Sequence, residues 1–328
     1  YSMCRYMVND KAAYGTEHSP DDWPGEAEQR YAERQAQLAT HYGIDVESRT
    51  IDTDTAGRIH YLVTGNPDGE PVILLHGLSV SAATWLPLAP ALTDEYRLYM
   101  PDRPGRGLSS APSYRGRDLR NFLVAYLLEL LDVLDLDRAH VVGNSLGGQQ
   151  AFLMAIDHDR VDRLCLVGGP GGVSKEFSLM WRLLTVRGVN RLLYWLAALG
   201  DPVENAREGV RDTLVVDDSA IPELFYELLA AGQALPGRQR SLRSLQSEQG
   251  SFGRMHSLFD LRDEIVEIER PTGFVWGTDD SFWPPEVGRT LADQMPNAEF
   301  HELPNHSHMP WMEPGDKTET RVRSFLDG

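Results

Sequence analysis

Val142-Gly143-Asn144-Ser145-Leu146-Gly147-Gly148 is the stretch on which the reading of this chain turns. It sets a serine between two glycines in the spacing Gly-x-Ser-x-Gly. Upstream, Ala139–Val142 is short and apolar, as a buried parallel strand would be. Downstream, Gln149-Gln150-Ala151-Phe152-Leu153-Met154-Ala155-Ile156 has the composition of a helix. A serine on so sharp a strand-to-helix turn has a strained backbone and close neighbours, so small residues must flank it. Such a turn lifts Oγ into the open and aims a helix N-terminus at it. Ser145 is therefore a candidate nucleophile.

The segments on either side repeat a rhythm of strand, loop and helix. Pro71–Leu75 is a continuously apolar run ending in His76-Gly77, and Tyr96–Pro101 is another, followed by a helical pattern over 118–135. Leu164–Gly168, Gly273–Gly277 and Ala298–Leu303 read as further strands, with a closing helix near Lys317–Leu326. Apolar strands alternating with helices predict an α/β fold, a doubly wound, mostly parallel sheet covered on both faces. Val46–Thr53 and Arg58–Thr64 alternate in polarity and predict an edge hairpin. Pro24 to about His41 reads as a polar helix with one apolar side, and residues 1–22 as an extension without a clear period. Between Gly172 and Pro271 the strands stop. Helical patterns at Leu179–Leu199, Val203–Leu214, Pro222–Leu235 and Arg238–Gln249 take their place. The expected division is a core of 23–172 and 271–328, with a helical cap over 173–270 above the strand ends.

Composition narrows the class. The 328 residues suffice for one large domain plus an insertion. No apolar run reaches the roughly 18 residues of a membrane span, and the first residues lack the pattern of a signal peptide. Two cysteines, Cys4 and Cys165, do not make a disulfide framework, so a cytoplasmic protein is the expectation. Asp and Glu total 49 against 31 Lys and Arg, a net charge of −18, and only Lys11, Lys175 and Lys317 are lysines. Such a surface repels nucleic acid and anionic membranes, and neither a nucleic-acid partner nor stable membrane anchoring is expected. An acidic surface also fits a high-salt environment, where screening reduces self-repulsion. Oligomeric state, monomer or homodimer, is left open by the sequence.

A hydroxyl is a poor nucleophile at neutral pH, so Ser145 needs a base, and the base an orienting acid. In a doubly wound sheet both arrive on loops after later strands. Trp276-Gly277-Thr278-Asp279-Asp280-Ser281-Phe282-Trp283-Pro284 supplies the acid. Asp280 is preferred and Asp279 is its neighbour and rival. The loop one strand earlier, Gly168-Gly169-Pro170-Gly171-Gly172, holds no carboxylate. Asn305-His306-Ser307-His308-Met309-Pro310 supplies the base, with His308 preferred over His306. An oxyanion hole requires two N–H groups, expected from Leu146, just after the serine, and Leu78, just after His76-Gly77. His76 reads as a loop organiser. No metal site and no cofactor are expected.

These residues together resemble the α/β-hydrolase superfamily, from about Val46 to the C-terminus. Four motifs carry the resemblance: His76-Gly77, the turn Asp102-Arg103-Pro104-Gly105-Arg106-Gly107-Leu108-Ser109, the Ser145 turn, and the Asp280 and His308 segments. The resemblance implies the α/β-hydrolase fold with an inserted cap and an acyl-enzyme hydrolase, and makes Asp102–Ser109 structural. A serine at the turn argues against the haloalkane dehalogenases and epoxide hydrolases, which place a carboxylate there. His76-Gly77-Leu78-Ser79-Val80 differs from the H-G-G-P-G of proline iminopeptidases.

Two reactions remain, beside a non-catalytic ligand-binding member of the fold. The favoured expectation is a carboxylesterase acting on a small-molecule ester, with a pocket wall including Trp283 and Trp85. The alternative is a carbon–carbon bond hydrolase of the meta-cleavage-product type. Leu136–Ser145, Val167–Gly172, Gly277–Pro284 and Asp217–Leu224 resemble that group. Against it, the glycine-rich H-G-G-G-P-G-A loop is replaced by His76–Ala82. By the same resemblance, the cap arginine that holds the substrate carboxylate falls on Leu229, leaving Arg182, Arg187 or Arg191 to substitute.

Overall fold

The computed structural model describes residues 15–174, 176–251, 254–315 and 317–328. Cys4 and the first fourteen residues of the expected extension lie outside them. The remainder of that extension holds a short strand, β1 (Thr16–Glu17), and a turn of 3-10 helix at Pro20–Asp22. Helix α1 (Glu26–His41) follows, then strands β2 (Glu47–Thr53), β3 (Gly57–Gly65), β4 (Glu70–Leu75) and β5 (Tyr96–Pro101). The pattern continues with α2 (Leu119–Val133), β6 (Ala139–Gly143), α3 (Leu146–Asp157) and β7 (Val161–Val167).

The insertion then contributes α4 (Leu179–Leu184), α5 (Val189–Ala197), α6 (Pro202–Thr213), α7 (Glu223–Ala234) and α8 (Arg238–Gln249). A two-residue hairpin, β8 (Gly250–Ser251) and β9 (Arg254–Met255), leads to the short α9 (Arg262–Ile265). The chain closes with β10 (Thr272–Gly277), α10 (Pro285–Ala292), β11 (Ala298–Leu303) and α11 (Lys317–Asp327).

Nine strands form one sheet in the order β1-β2-β3-β5-β4-β6-β7-β10-β11. The pairs from β5 to β11 are parallel, and β1, β2 and β3 are antiparallel. The predicted hairpin is present, but its outer strand is covered by β1 and its inner strand pairs with β5. Winding reverses between β4 and β6, where their following connections lead to opposite sides of the sheet. A crevice opens at such a reversal beyond the carboxyl ends of the strands. His76 and Ser145 stand at that point.

Both faces are covered, which explains the continuous apolar runs. Ile73 and Leu75 of β4 join the cluster containing Leu123, Phe152, Ile265 and Leu291. Val72 and Leu74, pointing the other way, join the cluster containing Tyr31, Leu38, Phe225 and Val322. Cys165 is buried in the second of these, and burial pushes its thiol pKa up.

The cap region departs from the sequence reading in two places. Leu179–Leu199 is two helices, because Gly188 takes φ +86 and interrupts the helical backbone before α5. The insertion is also stitched shut earlier than residue 270. Val173 bridges Asp260, and Leu261 N–H donates to Gly172 O at 2.7 Å. Ile265 and Ile268 beyond that stitch belong to the main core. On the far side, α1 holds α7: Arg34 pairs with Glu227 at 3.2 Å, and Tyr31 lies under Gly232. No helix among the described residues is long and apolar enough to cross a membrane.

The turn after β5 is built around Asp102, which has no exposed surface. Its Oδ2 accepts from Leu108 N–H at 2.9 Å and pairs with His60 Nδ1 at 2.7 Å, while Oδ1 accepts from Ala82 N–H at 2.8 Å. Burial alone would raise its pKa. The hydrogen bond and charge of His60, with the Ala82 N–H, overcome that and hold it at about 2. Asp102→Ala strands those donors in the interior and is expected to cost about 3–5 kcal/mol in urea unfolding. Because the folded pKa lies below the unfolded value of about 3.9, the contribution of Asp102 is complete above pH about 4. It is lost as pH falls toward 2, and acid titration of wild type against Asp102→Asn measures that difference.

Candidate active site

Ser145 sits at φ +53, ψ −121, outside the favoured regions for an L-residue. Two close approaches impose this. A methyl group on Gly147 would stand 2.0 Å from Leu75 O, and one on Gly143 would stand 2.8 Å from Gly147 O. Only glycine lets the first turn of α3 lie against the ends of β4 and β6. The backbone is then locked by Asn144 N–H to Leu75 O at 3.0 Å, Gly147 N–H to Asn144 O at 2.8 Å, and Gly171 N–H to Ser145 O at 2.7 Å. Ser145 remains partly exposed.

Asp280 and His308 meet on the neighbouring loops. His308 Nδ1 lies 2.8 Å from Asp280 Oδ2, with both side chains buried. Asp280 also accepts from Gly169 N–H at 2.8 Å, Phe282 N–H at 2.9 Å and Trp283 N–H at 3.3 Å. Burial would raise the Asp280 pKa; His308 and these amides outweigh it and keep the carboxyl ionised below the ordinary range. A carboxylate so held fixes the imidazole with Nδ1 protonated, leaving Nε2 to act as base. His308 Nε2 is buried and has no hydrogen-bond partner among the described residues. Phe282 covers the ring, with centroids 4.3 Å apart.

Asn144 ties the two halves together. Its amide donates to Val167 O at 2.8 Å and to His308 O at 2.9 Å, so the residue before Ser145 carries the backbone of His308. The N–H groups of Leu78 and Leu146 donate to no acceptor among the described residues. Gly77 lies against Ser145, where an added methyl would be 3.4 Å from Ser145 Cβ. Arg103 holds the Leu78 carbonyl from behind at 2.8 Å.

The rivals have other partners. Asp279 is exposed and its Oδ2 accepts from Thr278 Oγ1 at 2.8 Å; His306 Nδ1 contacts Pro304 O at 2.9 Å. His76 accepts from Arg103 N–H at Nε2 (3.0 Å) and donates from Nδ1 to Gly77 O (2.8 Å). Burial drives its pKa down to about 3, so it stays neutral and orders the loop.

Trp283 is buried beside His308, its ring centroid 6.5 Å away, and Phe177 of the insertion packs edge-on against it. Trp85 corrects the pocket expectation. It has no exposed surface and stacks on Trp311 at 4.3 Å, as core. Arg182, Arg187 and Arg191 are exposed, and Arg187 pairs with Glu248. Leu229 lines a small cavity together with Arg106 and Arg238.

Two arrangements escape a reading of the sequence. Ser48 Oγ, His60 and Asp102 form a second Ser-His-Asp chain, at 3.0 and 2.7 Å. Ser48 lies inside β2, paired with Leu62, with its carbonyl accepting from His18 N–H. A regular strand offers neither the exposed turn nor the helix N-terminus that Ser145 has, so this chain is scaffold. The other is Glu313, which is buried. Oε1 accepts from Ser307 N–H at 2.5 Å, and Oε2 from Val216 and Asp217 N–H at 2.9 and 3.1 Å. With Met309 N–H to Leu214 O at 2.8 Å, it joins the His308 loop to the insertion. Among the described residues no cluster of His, Cys, Asp and Glu is arranged to hold a metal.

The chain belongs to the alpha/beta hydrolase family, whose model matches residues 72–320, and it is a hydrolase. It is 31% identical over 286 residues to a 2-hydroxy-6-oxononadienedioate/2-hydroxy-6-oxononatrienedioate hydrolase of Burkholderia vietnamiensis, covering 84% of this chain and 93% of the relative. A 2-hydroxy-6-oxo-6-phenylhexa-2,4-dienoate hydrolase of Burkholderia cepacia is 29% identical, covering 82% and 91%. Carboxylesterase CesB of Bacillus subtilis superposes with a TM-score of 0.72 at 21% identity over 92% of this chain and 99% of that one. A meta-cleavage product hydrolase of Pseudomonas fluorescens gives 0.69 at 24% over 85% and 97%. Both solved structures share the fold.

Replacing Glu313 by alanine leaves the buried Ser307 N–H and the part-buried Val216 and Asp217 N–H groups without their acceptor. The expected loss of stability is about 2–3 kcal/mol by urea midpoint, whereas Asp279→Asn shifts the midpoint little.

Proposed function

We propose that this chain hydrolyses a carbon–carbon bond in a 2-hydroxy-6-oxo-dienoate, through Ser145, His308 and Asp280. The observation that carries the substrate class is sequence relatedness over nearly the full length of relatives named for that reaction. The ester expectation rests on the replacement of the glycine-rich loop after His76 and on Leu229 at the place of the cap arginine, and it is the second reading.

The chemistry follows from the site. A carbon leaving group departs only if its electron pair is delocalised as it leaves. In a 2-hydroxy-6-oxo-dienoate, ketonisation of the 2-hydroxy group moves a proton to C5. The C5–C6 bond then lies next to a conjugated acceptor. His308 Nε2 takes the proton of Ser145 as Oγ adds to C6, and Asp280 stabilises the imidazolium. The Leu78 and Leu146 N–H groups hold the C6 oxyanion. Collapse breaks C5–C6, the electron pair passes into the dienolate, and His308 returns its proton to that fragment. Water, deprotonated by His308, then cleaves the acyl-Ser145 ester and releases the acid. An ester follows the same route with an alkoxide as leaving group.

Turnover of 2-hydroxy-6-oxo-6-phenylhexa-2,4-dienoate, followed by loss of its conjugated absorbance, is expected to exceed that of p-nitrophenyl acetate through decanoate in kcat/KM. Faster ester turnover with no dienoate cleavage would establish the second reading instead. Ser145→Ala is expected to abolish turnover while leaving the fold intact. Asp280→Asn should lower kcat by about 10³–10⁴-fold, and Asp279→Asn by less than about threefold. The reverse ranking of the two aspartates would overturn the assignment of the acid.

A further inference from the structure

Beneath the insertion the interior is unexpectedly cationic. Arg103, Arg106 and Arg238 are 2%, 6% and 4% exposed, and the neighbouring buried carboxylate is Asp102. Asp102 is already held by His60, Ala82 and Leu108. Arg103 donates through its two terminal nitrogens to Leu78 O and Tyr114 Oη, with Nε buried and without a hydrogen-bond partner among the described residues. Arg106 and Arg238 make no side-chain hydrogen bond among the described residues. Among the described residues neither forms an ion pair, and Arg106 Nη2 and Arg238 Nε are buried without any hydrogen-bond partner.

Both arginines line one cavity of about 20 Å³, together with Ser79, Ser81, Tyr31 and Leu229. That volume admits one water-sized group. A water supplies hydrogen bonds but no charge, and two unpaired guanidinium groups in an interior are costly. Burial and the mutual repulsion of the arginines pull the Arg106 pKa down to about 10, the signature of a cation lacking a counterion. The cavity walls come from three separate parts of the chain. Arg106 and Ser79–Ser81 belong to core loops, Leu229 and Arg238 to α7 and α8, and Tyr31 to α1. Ser79 follows Leu78 directly.

We propose that Arg106 and Arg238 form a buried binding site for a monovalent anion, a halide-sized ion or one end of a carboxylate, at the junction of core, insertion and α1. The shared chemistry has two sources, a free halide or a carboxylate on the bound substrate. The second source rests on the reaction proposed above and the first does not.

A bromide soak of wild-type crystals with anomalous scattering tests the site without any variant. A free-ion site gives a bromide peak between Arg106 and Arg238. It also gives a saturable Tm rise of about 3 °C or more when sodium bromide replaces sodium gluconate at constant ionic strength. That rise is lost in Arg106→Gln and Arg238→Gln. If carboxylate is the occupant, bromide is absent and sorbate, a non-reacting dienoate, binds by calorimetry where methyl sorbate does not. Arg106→Gln then weakens sorbate by about 10- to 100-fold, and Arg238→Lys provides a second variant should the first fail to fold. Sorbate binding is read without turnover, so failure of the site and failure of the proposed reaction are told apart. A cavity holding water alone, with neither bromide peak nor sorbate binding dependent on Arg106 or Arg238, overturns the proposal.

Discussion

The contact on which the site depends is the approach of the first turn of α3 to the end of β4. Leu75 O takes the Asn144 N–H at 3.0 Å, and there is no room for a side chain on Gly147 beside it. Once these backbones touch, Ser145 is forced to φ +53 and cannot relax into either neighbouring element. The strain is carried by a sheet buried on both faces, which holds β4 and β6 at fixed separation. Everything else at the site is positioned relative to that contact. Asn144 carries the His308 backbone, and Asp280 holds the His308 ring.

Those features are local, and this is why the sequence discloses them. The central strands β4, β6 and β10 are buried on both sides and so read as apolar runs, whereas the edge strand β11 is partly exposed and mixed in polarity. Each candidate residue follows a strand within a few positions and is marked by glycine or proline. Asp280 and His308 stand on adjacent strand ends, β10 and β11, so chain order alone brings them together. Between Asp279 and Asp280 the sequence offers only a preference from spacing to Gly277 and Pro284, and it is the structure that puts Asp280 against the Phe282 and Gly169 amides.

What the sequence conceals is non-local packing. Trp85 and Trp283 are equally apolar on paper, but one stacks on Trp311 in the core and the other lies beside His308. The break at Gly188 was hidden because Leu179–Leu199 keeps a helical composition across it. The return of the chain at Asp260 depends on a single bridge to Val173. Ser48, His60 and Asp102 are separated by long stretches of sequence, and only the pairing of β2 with β3 and of β3 with β5 unites them. Composition conceals most of all. A chain of net charge −18 gives no sign that the interior under its insertion carries an excess of arginine.

That contrast bears on where specificity resides. The Ser145 turn, the His308–Asp280 pair and two free N–H groups suit any acyl transfer, and the same fold accommodates a carboxylesterase and a meta-cleavage product hydrolase. The reactions differ in the leaving group and in the charge of the substrate, so discrimination must come from groups beyond the triad. Of the insertion side chains, Phe177 and Trp181 reach the Phe282–Trp283 wall beside His308, and they supply apolar surface without charge. Under the anion-site proposal, polar discrimination falls to the buried arginines beyond Leu78. An uncompensated cation in an interior raises the penalty for a neutral ligand group there and lowers it for an anionic one. The net charge of −18 does the opposite at long range and slows the approach of an anion in low salt. If the proposed anion site takes a substrate carboxylate, selection for charge is expressed at that site rather than in steering towards it.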